Sequence, residues 1–234
     1  VISSRCKKLS ALALLTAPAL VPAGFEEGMA AIERRDYSAA FVEFKPLAEQ
    51  GMHEAQVNLG NLYMKGLGVP QDYAEARRWY EQAARQGDAT AESKLGVLHF
   101  YGLGTPVDAG EAALWFRKAA ERGEAGAQSV LGSLYASGNG VERDNAQAYF
   151  WYTLAAEQGN RNAADARNGL IDEMAPGEMA QALDRLAEWQ KRKDAAQDLQ
   201  PARKPKATKT EAKARKAPKA AHRKNKRKHK SRSR

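Results

Sequence analysis

Between residues 55 and 160, apolar positions follow a helical spacing that itself recurs. Leu59, Leu62 and Tyr63 stand at i, i+3 and i+4, one face of a helix from about Ala55 to Tyr63. Gly66-Leu67-Gly68 ends that helix, because glycine takes a positive φ without steric penalty. After Pro70, a second stripe of Ala76, Trp79, Tyr80, Ala83 and Ala84 predicts a helix running to about Arg85, and Gly87 turns the chain back. Asp72 falls near the start of this second helix. There a carboxylate accepts from free backbone N–H groups and meets the positive end of the dipole. The unit is a helical hairpin.

The hairpin repeats with a step of 36 residues. The step relates Leu59-Gly60 to Leu95-Gly96 and Leu131-Gly132, Gly66 to Gly102 and Gly138, and Asp72 to Asp108 and Asp144. It also relates Trp79, Trp115 and Trp151, then Tyr80, Phe116 and Tyr152. A mid-helix glycine lowers helix propensity by about 1 kcal/mol relative to alanine. Its recurrence at Gly60, Gly96 and Gly132 predicts a neighbouring helix too close for a β-carbon. Weaker copies flank the three units. Ala40, Phe44, Ala48 and Gly51 precede Ala76, Tyr80, Ala84 and Gly87 by one period; Ala163 and Leu170 continue it, while Arg167-Asn168 replaces the Leu-Gly pair. One hairpin cannot bury its apolar face alone, whereas stacked neighbours can, so the pattern predicts an all-α stack.

The run from Leu59-Gly60-x-Leu62-Tyr63 through Asp72-Tyr73, Ala76, Trp79-Tyr80 and Ala83-Ala84 to Gly87 resembles the Sel-one-like repeat, a relative of the tetratricopeptide repeat. The resemblance spans about residues 25–190. It implies a right-handed α-solenoid of stacked helix-turn-helix repeats, non-enzymatic, acting as a protein–protein scaffold or adaptor with no cofactor and no small-molecule substrate. Departures gather in the second unit, where His99 replaces Tyr63 and Tyr135, Thr105 replaces valine and Gly110 replaces alanine.

Charge divides the 234 residues further. Residues 24–190 carry 15 basic and 25 acidic side chains, a net −10; residues 191–234 carry 19 basic and 3 acidic, a net +16. The net +9 therefore describes a tail and not a basic face on the fold. Beyond about Gln197 the chain is rich in Lys, Arg, Ala and Pro and has no aromatic residue, so it cannot bury enough apolar area to offset chain entropy and is expected to be disordered. Lys224, Lys226, Arg227, Lys228, Lys230 and Arg232 are its candidate polyanion contacts. Without aromatics to stack bases, anionic lipid, lipopolysaccharide or an acidic polysaccharide is the expected partner. Nucleic acid is the alternative, in a protein that stays in the cytoplasm.

At the other end Arg5, Lys7 and Lys8 precede an apolar run from Leu9 to Leu20, then Val21-Pro22-Ala23. The order fits a secretory signal cleaved after Ala23 and predicts an exported, periplasmic protein of a bacterial-type envelope; an uncleaved membrane anchor is the alternative. The expected organisation is residues 1–23 signal, 24–54 partial repeat, 55–162 three repeats, 163–196 degraded repeat and capping helix, and 197–234 tail. The capping helix is expected from about Glu178 to Lys193, with Met179, Leu183 and Leu186 on one face. The one cysteine, Cys6, excludes an intrachain disulfide.

Catalytic patterns fail on spacing. His53-Glu54 lacks a second histidine four positions on, since that position is Val57. The four histidines, His53, His99, His222 and His229, have no metal-ligand spacing. Gly66-x-Gly68 lacks the strand and lysine of a phosphate loop, and Ser129 and Ser133 have no histidine near in sequence to activate them. The candidate site is instead a surface. In the first helices, the positions that escape the buried stripe and change between units are expected to line a concave groove for an extended peptide. They are Asn58, Asn61, Met64 and Lys65; Lys94, Val97, Phe100 and Tyr101; and Val130, Ser133, Ala136 and Ser137.

Overall fold

The computed structural model describes residues 23–198. They form ten helices and, among the described residues, no strand: α1 (Ala23–Glu33), α2 (Tyr37–Glu49), α3 (His53–Lys65), α4 (Tyr73–Arg85), α5 (Ala89–Tyr101), α6 (Ala109–Glu121), α7 (Ala125–Ser137), α8 (Asn145–Glu157), α9 (Arg161–Ile171) and α10 (Pro176–Asp198). Pairs α1/α2, α3/α4, α5/α6 and α7/α8 are stacked hairpins, and α9 opens a fifth unit. The proposed signal before Ala23 and the tail beyond Asp198 lie outside the described residues. The chain divides into two units, with the boundary between Ala187 and Glu188 inside α10.

The expected second-helix stripe is the observed one: Ala76, Trp79, Tyr80, Ala83 and Ala84 are the buried residues of α4. Asp72, Asp108 and Asp144 are the N-caps of α4, α6 and α8, accepting from backbone N–H groups two or three residues on. The first helices begin two residues earlier than Ala55 suggested, and their own caps went unread. Asp88, Glu124 and Asn160 cap α5, α7 and α9, while Met52 supplies no side-chain cap to α3.

The α3/α4, α5/α6 and α7/α8 hairpins are each closed by the same pair of features, whereas the shorter α1–α2 turn places Arg35 (φ 60°) in the left-handed region. Gly66 ends α3 in the left-handed region (φ 66°), and the Leu67 N–H donates to the Leu62 carbonyl at 3.0 Å. The N–H of the next cap residue then returns to the first helix: Asp72 to the Tyr63 carbonyl at 3.0 Å, Asp108 to His99 at 2.9 Å and Asp144 to Tyr135 at 3.0 Å. Only the backbone of position 99 takes part, which is why histidine can replace tyrosine there without altering the loop. Gly104 (φ 68°) lies against the start of α4, where a β-carbon would stand 2.7 Å from Tyr73 Cβ. The loop glycine therefore serves stacking as well as turning.

The mid-helix glycines meet a ring. A β-carbon on Gly60 would stand 2.6 Å from the Tyr80 ring, on Gly96 2.9 Å from Phe116, and on Gly132 2.7 Å from Tyr152. The close approach is thus made by an aromatic residue of the second helix in the same hairpin. Gly28 and Phe44 make the same contact between α1 and α2.

A polar seam joins successive hairpins. Gln56, 2 % exposed, donates to the Ala48 carbonyl of the preceding hairpin at 3.1 Å and accepts from Gln86 at 2.9 Å. Gln128 repeats this with the Ala120 carbonyl (3.0 Å) and Gln158 (2.8 Å). Between them, Glu92 is 3 % exposed and takes both of its bonds from Arg122 Nε, at 3.0 and 3.1 Å. One seam therefore carries a charged pair where its neighbours carry two amides.

The stack ends differently from expectation at its C-terminus. Pro176 occupies the first position of α10, and the Glu178 carboxylate accepts from the Ala175 N–H at 2.8 Å, a helix start fixed from both sides. Within the first unit Ala182 is fully buried, while Leu183 is 52 % exposed. Leu183 is therefore not a core residue of the capping helix, and Arg185, 3.9 Å from Asp144, ties α10 to the start of α8. In the second unit, the Arg192 guanidinium lies 5.5 Å from the centre of the Trp189 ring.

Two stability predictions follow from these contacts. Gly60→Ala forces a methyl into the Tyr80 ring and should lower stability by about 1–3 kcal/mol, whereas Gly169→Ala in α9, with open space at its β-carbon, should raise it by about 0.5–1 kcal/mol. Opposite shifts in denaturant midpoint are the expected reading. At the seam, Arg122→Ala strands the Glu92 carboxylate and should destabilise by roughly 1–3 kcal/mol. The double variant Glu92→Gln/Arg122→Gln, which copies the flanking seams, should come within about 1 kcal/mol of the parent, as a double-mutant cycle would record.

Candidate partner-docking face

Three helices carry the expected face. On α3, Asn58, Asn61 and Lys65 stand at i, i+3 and i+7, with Met64 beside them; on α5, Lys94, Val97 and Tyr101 repeat the spacing with Phe100; on α7, Val130, Ser133 and Ser137 repeat it with Ala136. All of these side chains are half-buried or exposed, outside the buried stripe of Leu59/Leu62, Leu95/Leu98 and Leu131/Leu134. The 36-residue register places them in rows across successive first helices.

The rows are not equivalent. The row of Asn61, Val97 and Ser133 lies over the glycine-facing rings. Tyr80 Oη donates to Asn61 Oδ1 at 2.8 Å and reaches Met64 Sδ at 3.6 Å. Ser133 bonds the Tyr152 hydroxyl, and in the middle hairpin the ring is Phe116 and its row partner is Val97. Polar residues in this row occur where the ring beneath carries a hydroxyl, so the row is tied to the core as well as open to solvent. Asn58 Nδ2 donates to the Glu54 carbonyl at 2.9 Å and stands 4.0 Å from Met29 Sδ.

Met29 is the residue that sequence reasoning missed. It is 37 % exposed on α1 and extends the face onto the N-terminal hairpin. Gly28 precedes Gly60 by 32 residues because the α1–α2 connection is shorter, so a search at 36 passes over it.

The exposed centre of the face is aromatic. Phe100 and Tyr101 meet edge to face with centroids 5.1 Å apart; Tyr101 is 65 % exposed, and Val130 is 36 % exposed on the next first helix. The tail residues Lys224, Lys226, Arg227, Lys228, Lys230 and Arg232 lie outside the described residues.

Away from the face, an acid–histidine couple is structural. His53 Nδ1 and Asp88 Oδ2 are 2.8 Å apart, but Asp88 also caps α5, so the couple joins the starts of α3 and α5. Among the described residues no group of three His, Cys, Asp or Glu side chains is placed to hold a metal ion. No described helix is long and apolar enough to cross a membrane. An open cleft of about 580 Å³ beside the α7–α8 loop is lined by Arg117, Tyr135, Arg143 and Asp144 among others. Three of its charged groups are engaged: Arg117 donates to the Tyr135 hydroxyl at 2.7 Å, Arg143 approaches Glu173 at 3.5 Å, and Asp144 accepts from the Gln147 N–H.

Burial pushes the Tyr80 phenol far above its ordinary value, and burial also raises Tyr152, against the lowering effect of its bond to Ser133. A phenol raised in the fold favours its neutral form. Its stabilising contribution is complete below the unfolded value of about 10 and is lost progressively as pH rises beyond it. The thermal midpoint should therefore fall between about pH 9 and about pH 11, and less steeply in Tyr80→Phe, which has nothing to ionise beneath Asn61.

The profile of the Sel1 repeat family matches residues 53–88, 89–124 and 125–160, three consecutive 36-residue units in the register of the hairpins. Among solved structures, a Sel1 repeat protein from Oxalobacter formigenes is 31 % identical, with a TM-score of 0.60, covering 70 % of this chain and 71 % of its own. A protective antigen of uropathogenic Escherichia coli displaying an SLR fold is 27 % identical, with a TM-score of 0.43, covering 79 % of this chain and 49 % of its own. An immunity protein from Pseudomonas aeruginosa is 20 % identical, with a TM-score of 0.38 and coverage of 75 % and 83 %. No curated protein matches the chain.

Proposed function

The chain belongs to the Sel1 repeat family, whose members are generally non-enzymatic protein-interaction scaffolds, and on that premise we propose that it docks a protein partner on the face built by α3, α5 and α7. The observation that supports this reading is a division of labour within each 36-residue unit. Positions that pack the two helices of a hairpin on each other keep their chemistry from unit to unit, as in Leu59/Leu95/Leu131 and Gly60/Gly96/Gly132. Positions on the face change theirs, as in Lys65/Tyr101/Ser137. A surface that varies over a constant frame suits an irregular partner better than a repetitive one.

The same proposal assigns the protein to a bacterial-type envelope. Support comes from the basic segment, apolar run and Val21-Pro22-Ala23 at the N-terminus. The polybasic segment after residue 197 then contacts anionic lipid, lipopolysaccharide or an acidic polysaccharide, each basic side chain near an anionic membrane contributing about 1 kcal/mol.

Cross-linking capture by the full chain tests the docking reading. Tyr101→Ser with Val130→Ser should abolish the captured band while leaving the thermal midpoint unchanged, because both side chains are exposed. Capture unaltered by these changes would remove the face from the proposal. Mass spectrometry of the native N-terminus tests location: a chain beginning at Gly24 supports export, and a chain that still carries the segment before Gly24 supports the anchored form or the cytoplasmic, nucleic-acid-associated alternative.

A further inference from the structure

We propose that the occupant of this face is an extended, acidic peptide segment carrying one aromatic or large aliphatic side chain between its carboxylates. The inference rests on the docking reading above and adds the chemistry of the partner. The twelve face positions of α3, α5 and α7 include two lysines, Lys65 and Lys94, and no carboxylate. They belong to a body whose net charge over residues 24–190 is −10, so the middle of the face is a local exception in sign.

The two lysines also lack a carboxylate partner, unlike the arginines of α4 and the Arg122 that follows α6. Arg77 and Arg85 pair with Glu81 at 3.9 Å, Arg78 with Glu75 at 2.7 Å, and Arg122 with Glu92 at 3.0 Å. Among the described residues no carboxylate stands within 4.0 Å of the Lys65 or Lys94 amine. The acidic side chains of their own helices are otherwise engaged: Glu54 lies 3.4 Å from His53, and Glu92 is buried against Arg122.

Geometry sets the spacing of the ligand. Lys94 and Tyr101 are seven residues apart on one helix face, which at 1.5 Å per residue is about 10 Å. Lys65 and Tyr101 occupy equivalent positions of successive first helices, whose starts are tied by His53 and Asp88 at 2.8 Å. An extended chain advances about 3.3 Å per residue. A carboxylate about three residues from an apolar side chain therefore reaches Lys94 while that side chain lies on Phe100 and Tyr101, and the carboxylate on its far side meets Lys65 where the peptide crosses from α5 to α3. Asn58, in the row of Lys94, keeps its Oδ1 for a peptide N–H. The protein's own C-terminal segment is a poor occupant, since its 19 basic side chains repeat the sign of the two lysines.

The probe is a fluorescent peptide with glutamates three residues before and after a phenylalanine in a Gly/Ser background, titrated into the full chain at about 50 and about 300 mM salt. A second probe with serine for phenylalanine reports what the basic tail binds on its own, and a third carries lysine for glutamate. The phenylalanine probe should bind about tenfold tighter than the serine probe, and Lys65→Glu/Lys94→Glu should remove that margin while improving the lysine probe. Tyr101→Ser should remove the margin without changing the serine probe. Equal affinity for the two acidic probes, or a parent protein that prefers the lysine probe, overturns the inference. If Tyr101→Ser/Val130→Ser also abolishes protein capture, the docking reading survives that failure; if capture is untouched as well, both fall.

Discussion

The contact on which the stack depends is a ring lying on a glycine. In each hairpin a bulky aromatic side chain from the second helix occupies the space where the first helix would carry a β-carbon. The contact lets the ring lie against the backbone of the first helix and fixes the offset of the two helices, because a ring registers against one missing atom and not against a smooth surface. Tyr80 and Phe44 are fully buried as a result. The weak helix propensity of the glycine is offset by aromatic burial, and the favourable alternatives all lose: alanine overlaps the ring, and a smaller ring leaves a void.

From that constraint the rest of the unit follows. With helix spacing set inside the hairpin, the next hairpin can lean on it through small residues, Ala76, Ala83 and Ala84, and through loop glycines that admit its backbone. The polar seam then supplies orientation. Gln56 and Gln128 each bridge a carbonyl of one hairpin and an amide of the next, so a buried polar residue is satisfied only when neighbours stack in register. In the middle seam Glu92 and Arg122 replace the two amides and satisfy each other within one hairpin, without the bond to the preceding hairpin's carbonyl.

The frame was legible in the sequence because its positions are held by steric necessity, and steric necessity repeats with the unit. Leu59, Gly60, Asp72, Trp79 and Tyr80 announce their roles by recurring. What escaped notice repeats in role but not in residue type. The first-helix caps are Asp88, Glu124 and Asn160, three residues with one function and no shared letter. The seam changes from Gln to Glu and back, and only the paired change at Gln86, Arg122 and Gln158 reveals it. The first hairpin keeps the ring-on-glycine contact but shortens the connection, so Gly28 and Met29 fall out of a fixed period. Leu183 misled for a different reason: periodicity names a face, but near the end of a stack no neighbour is guaranteed to cover it.

The second unit shows why such a frame can host change. Its departures include His99, Phe100, Tyr101, Thr105, Gly110 and the Glu92–Arg122 pair, yet α5 and α6 match the lengths of their counterparts in both neighbours. Its loop is closed by the same backbone bond, from Asp108 to the His99 carbonyl, and its ring still lies on a glycine, Phe116 on Gly96. Side chains are free to vary where the backbone alone makes the closing contact. Loss of the ring hydroxyl at Phe116 frees its row partner from any polar duty, so Val97 can be apolar, and the aromatic centre at Phe100 and Tyr101 adjoins that apolar position. The most altered unit is also flanked on both sides by regular ones, so its helices do not have to hold an end of the stack. Variation is admitted where the frame is held from both sides, and that is where the face carries its aromatic pair.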